Sequence, residues 1–271
     1  MGKLLFNGTL LEADSVALPL PNRGLAFGDG FFETLIFSHN QLHLAADHVA
    51  RMQRAATALH LVLPTPLATA DTLESTLTQL VTAQGLLAAR LRLQLWRCGG
   101  GRYTPPTATA EWLATAEPFE TDDTPIAHAD FALETQSILS PLSFCKGPQA
   151  WLYVRAAHER QQRRLDEIIL CDAAGHIAEA GAAAIFWLKQ GQLYTPALET
   201  GCVAGVRRAE VLRIARAQGI MCEEGLFQPE ELLTAEAVFT ANVAAIRLVQ
   251  QVGQQAFATS EPGLLELLRQ R

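Results

Sequence analysis

Apolar and polar residues alternate most regularly over residues 90–96. Arg90, Arg92 and Gln94 fall on one side there, and Leu91, Leu93 and Leu95 on the other. A period of two with one apolar side predicts a half-buried antiparallel strand. Residues 44–61 instead repeat at helical spacing through Leu44, His48, Met52, Ala55 and Leu59, with Arg51 off that stripe. A second helix is predicted over residues 70–84, its stripe formed by Leu73, Leu77, Leu80 and Val81 and its N-cap by Asp71. Short strands are predicted at 4–6 and 15–18, with Asn7-Gly8 as a hairpin signal, and at 41–44 and 109–115. Between them, residues 20–30 carry three glycines and Asp29, which oppose a helix; the aromatic run that follows predicts a strand through Phe37.

The polar stretch 117–124, with Pro118 inside it and Pro125 at its edge, is the expected domain boundary. It separates a small N-terminal α/β domain (1–117) from a linker (118–124) and a larger C-terminal domain (125–271). In the larger domain, strands are predicted near 126–133, 166–172, 177–178, 183–188, 192–195, 220–224, 237–240 and 246–252. Helices are predicted at 148–164, with Pro148 in the first turn, and at 206–218, 229–233 and 262–269. The mixture of antiparallel strands and separate helices implies an α+β protein.

Composition narrows the function classes. A net charge of −7 argues against a dedicated nucleic-acid binder. No apolar run is long enough for a membrane span, and the opening residues turn at Asn7-Gly8 without the apolar core of a signal peptide. The five cysteines (98, 145, 171, 202 and 222) are odd in number and form no CxxC pair. Reduced thiols, a cytoplasmic location and no metal site are therefore expected.

The chain has only three lysines, Lys3, Lys146 and Lys189. Lys146 lies between a β-rich run and a helix-like run, in Ser143-Phe144-Cys145-Lys146-Gly147-Pro148, and Glu179 follows 33 residues later. A lysine among apolar neighbours loses ammonium solvation and gains nucleophilicity; the ordinary alternative is a loop lysine ahead of a helix. Gly201-Cys202-Val203-Ala204-Gly205 runs into a helix whose first turn holds Arg207 and Arg208. Free N–H groups at such a start can hold a phosphate, although many ordinary helices begin this way. Arg51 is either a cationic clamp or a solvated helix residue. Arg102, in Gly99-Gly100-Gly101-Arg102-Tyr103, is either a carboxylate grip or a surface arginine.

The order of these landmarks carries more than any one of them. Arg23-Gly24, Phe27-Gly28-Asp29-Gly30, Phe32-Glu33-Thr34, Arg51, Lys146, Glu179 and Gly205-Val206 together resemble the class IV (fold type IV) pyridoxal-phosphate enzymes. That family includes branched-chain and D-amino-acid aminotransferases and 4-amino-4-deoxychorismate lyase. The runs Glu179-Ala180, Ala182-Ala183, Ile185-Phe186-Trp187 and Leu193-Tyr194-Thr195-Pro196 extend the resemblance over nearly the whole chain. It implies a two-domain fold like that of D-amino-acid aminotransferase, with a mixed, barrel-like larger domain, and a homodimer acting on an amino-acid-like or chorismate-derived small molecule. It further implies that Lys146 carries pyridoxal 5'-phosphate covalently and shuttles a proton, and that Glu179 pairs with the pyridine nitrogen. Arg51, the backbone of Val206 and Arg207, and the turn from Thr240 through Ala241 to Asn242 would hold the phosphate. Phe32 and Arg102 would face the substrate, Arg102 often reaching across a dimer interface in this family.

Three places depart from the family pattern. Gly181-Ala182-Ala183-Ala184 lacks the hydroxyl and amide usual after the glutamate, and Arg207 stands where a threonine is common. The resemblance thus implies fewer side-chain donors for the phosphate, offset by Arg207 as a second cation. Gln149 stands where an asparagine is usual. Thr34 in the Glu33-Thr34 pair is similar to the lyase, in which that hydroxyl would assist protonation of the product.

Overall fold

The computed structural model describes residues 2–147, 150–258 and 262–269. The chain divides into two compact units, one of Met1–Thr121 with Cys145–Pro148 and one of Asp122–Phe144 with Gln149–Arg271.

The first unit is a six-stranded sheet with two long helices. β1 (Lys3–Phe6), β2 (Thr9–Glu12), β3 (Gly30–Ser38), β4 (Gln41–Leu42), β5 (Ala89–Arg97) and β6 (Ala110–Pro118) lie in the order β2-β1-β6-β5-β3-β4. All its pairings are antiparallel. Asn7 and Gly8 both take positive φ, as the two-residue turn between β1 and β2 requires. The expected strand at 15–18 is absent: a two-residue turn pairs β1 with the residues immediately after it, so the partner is Thr9–Glu12.

Residues 23–27, where glycine was expected to oppose a helix, form the short helix α1 (Arg23–Phe27). The side chain of Asn22 accepts the Leu25 N–H at its start, and Gly28 in the left-handed region ends it. α2 (Ala45–Ala58) and α3 (Ala70–Ala83) follow the predicted stripes. The N-cap of α3 is Thr69, whose hydroxyl receives the Thr72 N–H; Asp71 sits in the first turn, where its charge suits the dipole. Leu91, Leu93 and Leu95 are buried on one sheet face with Phe31 and Leu35, and the stripe residues of α2 and α3 are buried with them. Truncating any one of these leucines to alanine costs about 2–5 kcal/mol.

The second unit holds two five-stranded sheets. One is ordered β12 (Cys222–Gly225), β11 (Gln192–Pro196), β10 (Ala184–Lys189), β13 (Ala237–Ala241), β14 (Ile246–Val249). The other is β16 (Gln255–Ala256), β15 (Gln251–Val252), β7 (Ala129–Phe131), β8 (Glu167–Cys171), β9 (Ile177–Ala180). Ile185 and Trp187 of β10 pack with Ile169, Ile177 and Phe227 between the sheets. Phe186, on its opposite face, packs with α5 (Val206–Ala217) and α7 (Gly263–Arg269). Both faces of β10 are covered, so its apolar run is nearly continuous. On the far side of the second sheet, α4 (Ala150–Gln162) packs Ala156 against Ile168 and Leu170. The short α6 (Pro229–Leu233) precedes β13. The expected helical start at Pro148, and Gln149, lie outside the described residues.

Candidate active site

In the first unit, β3 sorts the candidate residues by face. Glu33 points toward α2, where Arg51 donates to both of its oxygens, Nε at 2.8 Å and Nη2 to the other, and His48 Nδ1 lies 2.7 Å away. All three side chains are buried. Burial would raise the Glu33 carboxyl, but the Arg51 charge and the His48 hydrogen bond outweigh it and hold the group at about 2. Arg51, read from sequence as a phosphate clamp, therefore has part of its guanidinium committed to Glu33. Sequence reasoning assigned Glu33 and His48 no role.

The opposite face of β3 is different in kind. Phe32 and Thr34 stand there across from Gln94 and Arg92 of β5. Thr34, Arg90, Arg92 and Thr115 line a cavity of about 360 Å3. The Arg92 guanidinium lies 3.2 Å from the centroid of the Phe32 ring. It makes no hydrogen bond or ion pair among the described residues, and neither does the Thr34 hydroxyl. Burial, and then the like charge of Arg90, lower the Arg92 pKa, an arrangement that favours an added anion. The strict alternation of residues 90–96 places Arg92 on the side away from the leucines, and that is the signal in the sequence for its position on this face.

Lys146, which the expected boundaries place in the larger domain (125–271), groups instead with this unit and joins it through its backbone. Its carbonyl accepts the Phe32 N–H at 2.9 Å, forming a bridge with β3. Gly147 follows at φ +133°, and a Cβ there would sit 2.9 Å from Phe31 Cα, so the position excludes any other residue. The neighbouring Cys145 thiol is pushed up to about 11 by burial, with the Arg51 charge opposing, and stays protonated at neutral pH. Arg102 is exposed in the loop after β5, and its side chain has no partner among the described residues.

In the second unit, Glu179 on β9 is buried. The Tyr153 hydroxyl of α4 donates to one of its oxygens at 2.6 Å and the Val203 N–H to the other at 3.2 Å. Tyr153 was not singled out from sequence; its place seven residues after Lys146, on the partly buried side of α4, was the available signal. Three residues beyond Val203, α5 starts at Val206 with Gly205 as N-cap and no capping side chain. Among the described residues the Val206 and Arg207 N–H groups have no acceptor, as the first turn of a helix leaves them.

The Arg207 side chain corrects an expectation. It pairs with Glu210 at 2.6 Å, reaches the Leu268 carbonyl at 3.4 Å and leaves Nε buried without a partner. The i, i+3 carboxylate on its own helix has captured it, so Arg207 offers the helix start its N–H and not a second free cation. Thr240 and Ala241 are buried at the end of β13, paired with Ile185 and Ala184. The Asn242 amide donates to the Ala182 carbonyl at 3.2 Å, tying that turn to the alanine-rich hairpin after Glu179.

This donor set suits a phosphorylated pyridine. A buried carboxylate held by two donors can pair with a ring nitrogen, and an uncapped helix start can take a phosphate. Among the described residues, no group of three His, Cys, Asp or Glu could hold a metal, and no helix is long and apolar enough to cross a membrane.

Residues 30–252 match the family model for amino-transferase class IV, and the chain belongs to that family. A D-alanine aminotransferase of Bacillus licheniformis is 26% identical over 266 residues, 97% of this chain and 93% of that protein. An aminodeoxychorismate lyase of Vibrio harveyi is 26% identical over 232 residues, 83% of each chain. The crystal structure of a branched-chain aminotransferase from Thermoproteus uzoniensis superposes with a TM-score of 0.89 at 23% identity, covering 99% of this chain and 93% of that one. A branched-chain aminotransferase from Thermobaculum terrenum in its PLP form superposes at 0.85 with 18% identity, covering 98% and 92%. The fold is the expected fold type IV architecture, α+β with several sheets. The protein is an enzyme of the pyridoxal-phosphate-dependent aminotransferases and lyases, and pyridoxal phosphate is the cofactor the family implies.

Proposed function

We propose that the protein is a 4-amino-4-deoxychorismate lyase, forming 4-aminobenzoate and pyruvate. The observation that carries this reading is the Thr34–Arg92 face of β3 and β5, a hydroxyl and an unpaired guanidinium lining one cavity. Each product bears a carboxylate, so the substrate bears two. Arg92 lines that cavity and Arg102 lies exposed in the loop after β5; each is a cation without a carboxylate partner among the described residues, and the two charges would match a doubly anionic substrate.

Bound pyridoxal phosphate supplies an electron sink for the substrate's amine-bearing carbon. Lys146 would hold it covalently, with Glu179, kept in place by Tyr153 and the Val203 N–H, against its ring nitrogen. The Val206 and Arg207 N–H groups, Arg51, and the Thr240 and Ala241 segment would hold the phosphate. Lys146 Nζ would take the proton from the amine-bearing ring carbon. The neighbouring C–O bond then breaks, the ring becomes aromatic, and enolpyruvate departs. Thr34 Oγ1 would deliver a proton to its methylene carbon, giving pyruvate. Aromatisation supplies the driving force, so the side chains need only orient, grip and move protons.

The same reading takes the enzyme as a cytoplasmic homodimer working toward folate. Five free cysteines support the location, and the exposed apolar residues Leu20, Leu25, Phe27 and Tyr103 beside Arg102 support pairing with a second copy.

The longer alignment with the D-alanine aminotransferase favours a transaminase as the competing reading. Incubation with aminodeoxychorismate alone separates the two. Release of 4-aminobenzoate and pyruvate without an amino acceptor is expected, whereas a requirement for a 2-oxo acid overturns the lyase. Borohydride reduction of the holoenzyme followed by peptide mass spectrometry is expected to label Lys146; a label on Lys3 or Lys189 overturns the assignment.

A further inference from the structure

The loop that carries Arg102 has no helix or strand of its own, yet its backbone is pinned from beneath. Arg23 Nη1 donates to the Gly100 carbonyl at 3.1 Å and the Arg102 carbonyl at 2.6 Å. Arg23 Nε is held by Asp29 at 2.7 Å. The same carboxylate receives Arg97 Nε at 2.9 Å, and Arg97 Nη1 donates in turn to the carbonyls of Thr107 and His60, each at 3.1 Å. Gly100 closes against the Pro21 ring, where a Cβ would lie 2.2 Å from Cγ.

Arg23 and Arg97 are buried, whereas the Arg102 side chain is exposed and has no partner among the described residues. A main chain fixed at several carbonyls under an unbound guanidinium is a preorganised arrangement: the ordering entropy is spent on folding and not on binding. Burial of Asp29 opposes its ionisation, but the hydrogen bonds from Arg97 and Arg23 prevail and hold its carboxyl below the usual range, so the clamp stays charged at neutral pH.

We propose that Arg23 and Asp29 are positioning residues that hold the 100–102 backbone so that Arg102 is presented to a carboxylate of the substrate. This rests on the reading of Arg102 as a substrate residue. The two arginines divide the work. Arg97 ties the loop base to the end of α2, and Arg23, with the Pro21 ring against Gly100, fixes the tip.

Trypsin gives a readout independent of turnover, because cleavage after Arg102 requires the loop to leave its bonded shape. In the holoenzyme, Arg23→Gln is expected to speed cleavage after Arg102 by about 10-fold or more, as local opening becomes easier. It is also expected to raise KM for aminodeoxychorismate by about 10-fold with kcat little changed, the signature of lost ground-state binding. Arg23→Lys, which keeps the charge but not the fork, is expected to fall between wild type and Arg23→Gln. Asp29→Asn should match or exceed Arg23→Gln; should it fail to fold, Arg23→Gln still decides, because it leaves the Asp29–Arg97 pair intact. Arg216→Gln, which removes an exposed ion pair with Glu224, serves as the unaffected control.

Cleavage of Arg23→Gln at the wild-type rate overturns the clamp. Faster cleavage with KM raised in Arg102→Gln but not in Arg23→Gln overturns the positioning role. Faster cleavage with KM unchanged in both overturns the substrate role of Arg102 and, with it, the purpose assigned to the clamp.

Discussion

The two faces of β3 carry charge in opposite conditions. On one, Glu33 is matched by Arg51 and His48 within a buried cluster. On the other, Arg92 and Thr34 face a cavity with no hydrogen-bond or ion-pair partner for either among the described residues. Residues one position apart on a strand thus do different work. A charge that the fold satisfies is part of the structure, and a charge it leaves unsatisfied beside open space is available for a ligand.

The largest expected effect tests the satisfied side. Glu33→Gln strands Arg51 in the interior and should cost about 3–5 kcal/mol in urea denaturation. A loss below about 1 kcal/mol would break the contrast between the faces. The pH dependence follows from the same group. Its folded value, about 2, lies below the ordinary 4.5, so its contribution is complete above 4.5 and is lost as the pH falls from there through 2. Wild type should lose about 3 kcal/mol more than Glu33→Gln over that range.

On the other face, Thr34→Val should leave stability nearly unchanged and lower kcat by about 100-fold, as for removal of a proton donor. Unchanged kcat would confine Thr34 to lining the cavity. Arg92→Gln should cost about 1 kcal/mol or less of stability, mostly its stacking on Phe32, while raising KM by about 10- to 100-fold. A large stability loss with unchanged KM would assign Arg92 to the structure instead. Smallest of all, Arg90→Gln removes an exposed pair with Glu117 at 3.4 Å, and its effect on stability should stay within about 0.5 kcal/mol.

What was legible in the sequence followed from period. The alternation of β5 and the stripes of α2 and α3 are one-dimensional records of burial, and they gave element type, face and approximate ends. Pairings across distance left no such record. The stripe of α2 put Arg51 off the buried side, and Glu33, arriving 18 residues earlier on another element, supplies a carboxylate that makes its burial tolerable. Asp29 and Arg97 meet over 68 residues for a similar reason. Local rules failed where two of them competed. Glycine opposed a helix at 23–27, but Asn22 and Gly28 are also its start and stop. Asp71 was a sound cap by type, yet Thr69 reached the free N–H first. Lys146 and Glu179 stood out through order along the chain, whereas Tyr153 became visible only from its hydrogen bond.

The bridge from Lys146 to Phe32 has an evolutionary reading. It fastens the lysine's backbone to the strand that displays Phe32 and Thr34, and Gly147 leaves no space for that attachment to drift. Positions 32 and 34 are about 7 Å apart along the strand, one pleat repeat. A side chain at 34 can therefore be exchanged without moving the lysine's anchor. On the proposed roles, such a layout would hold the cofactor lysine in place while the residue at 34 varies, so substrate preference could change by substitution at one position without disturbing the anchor.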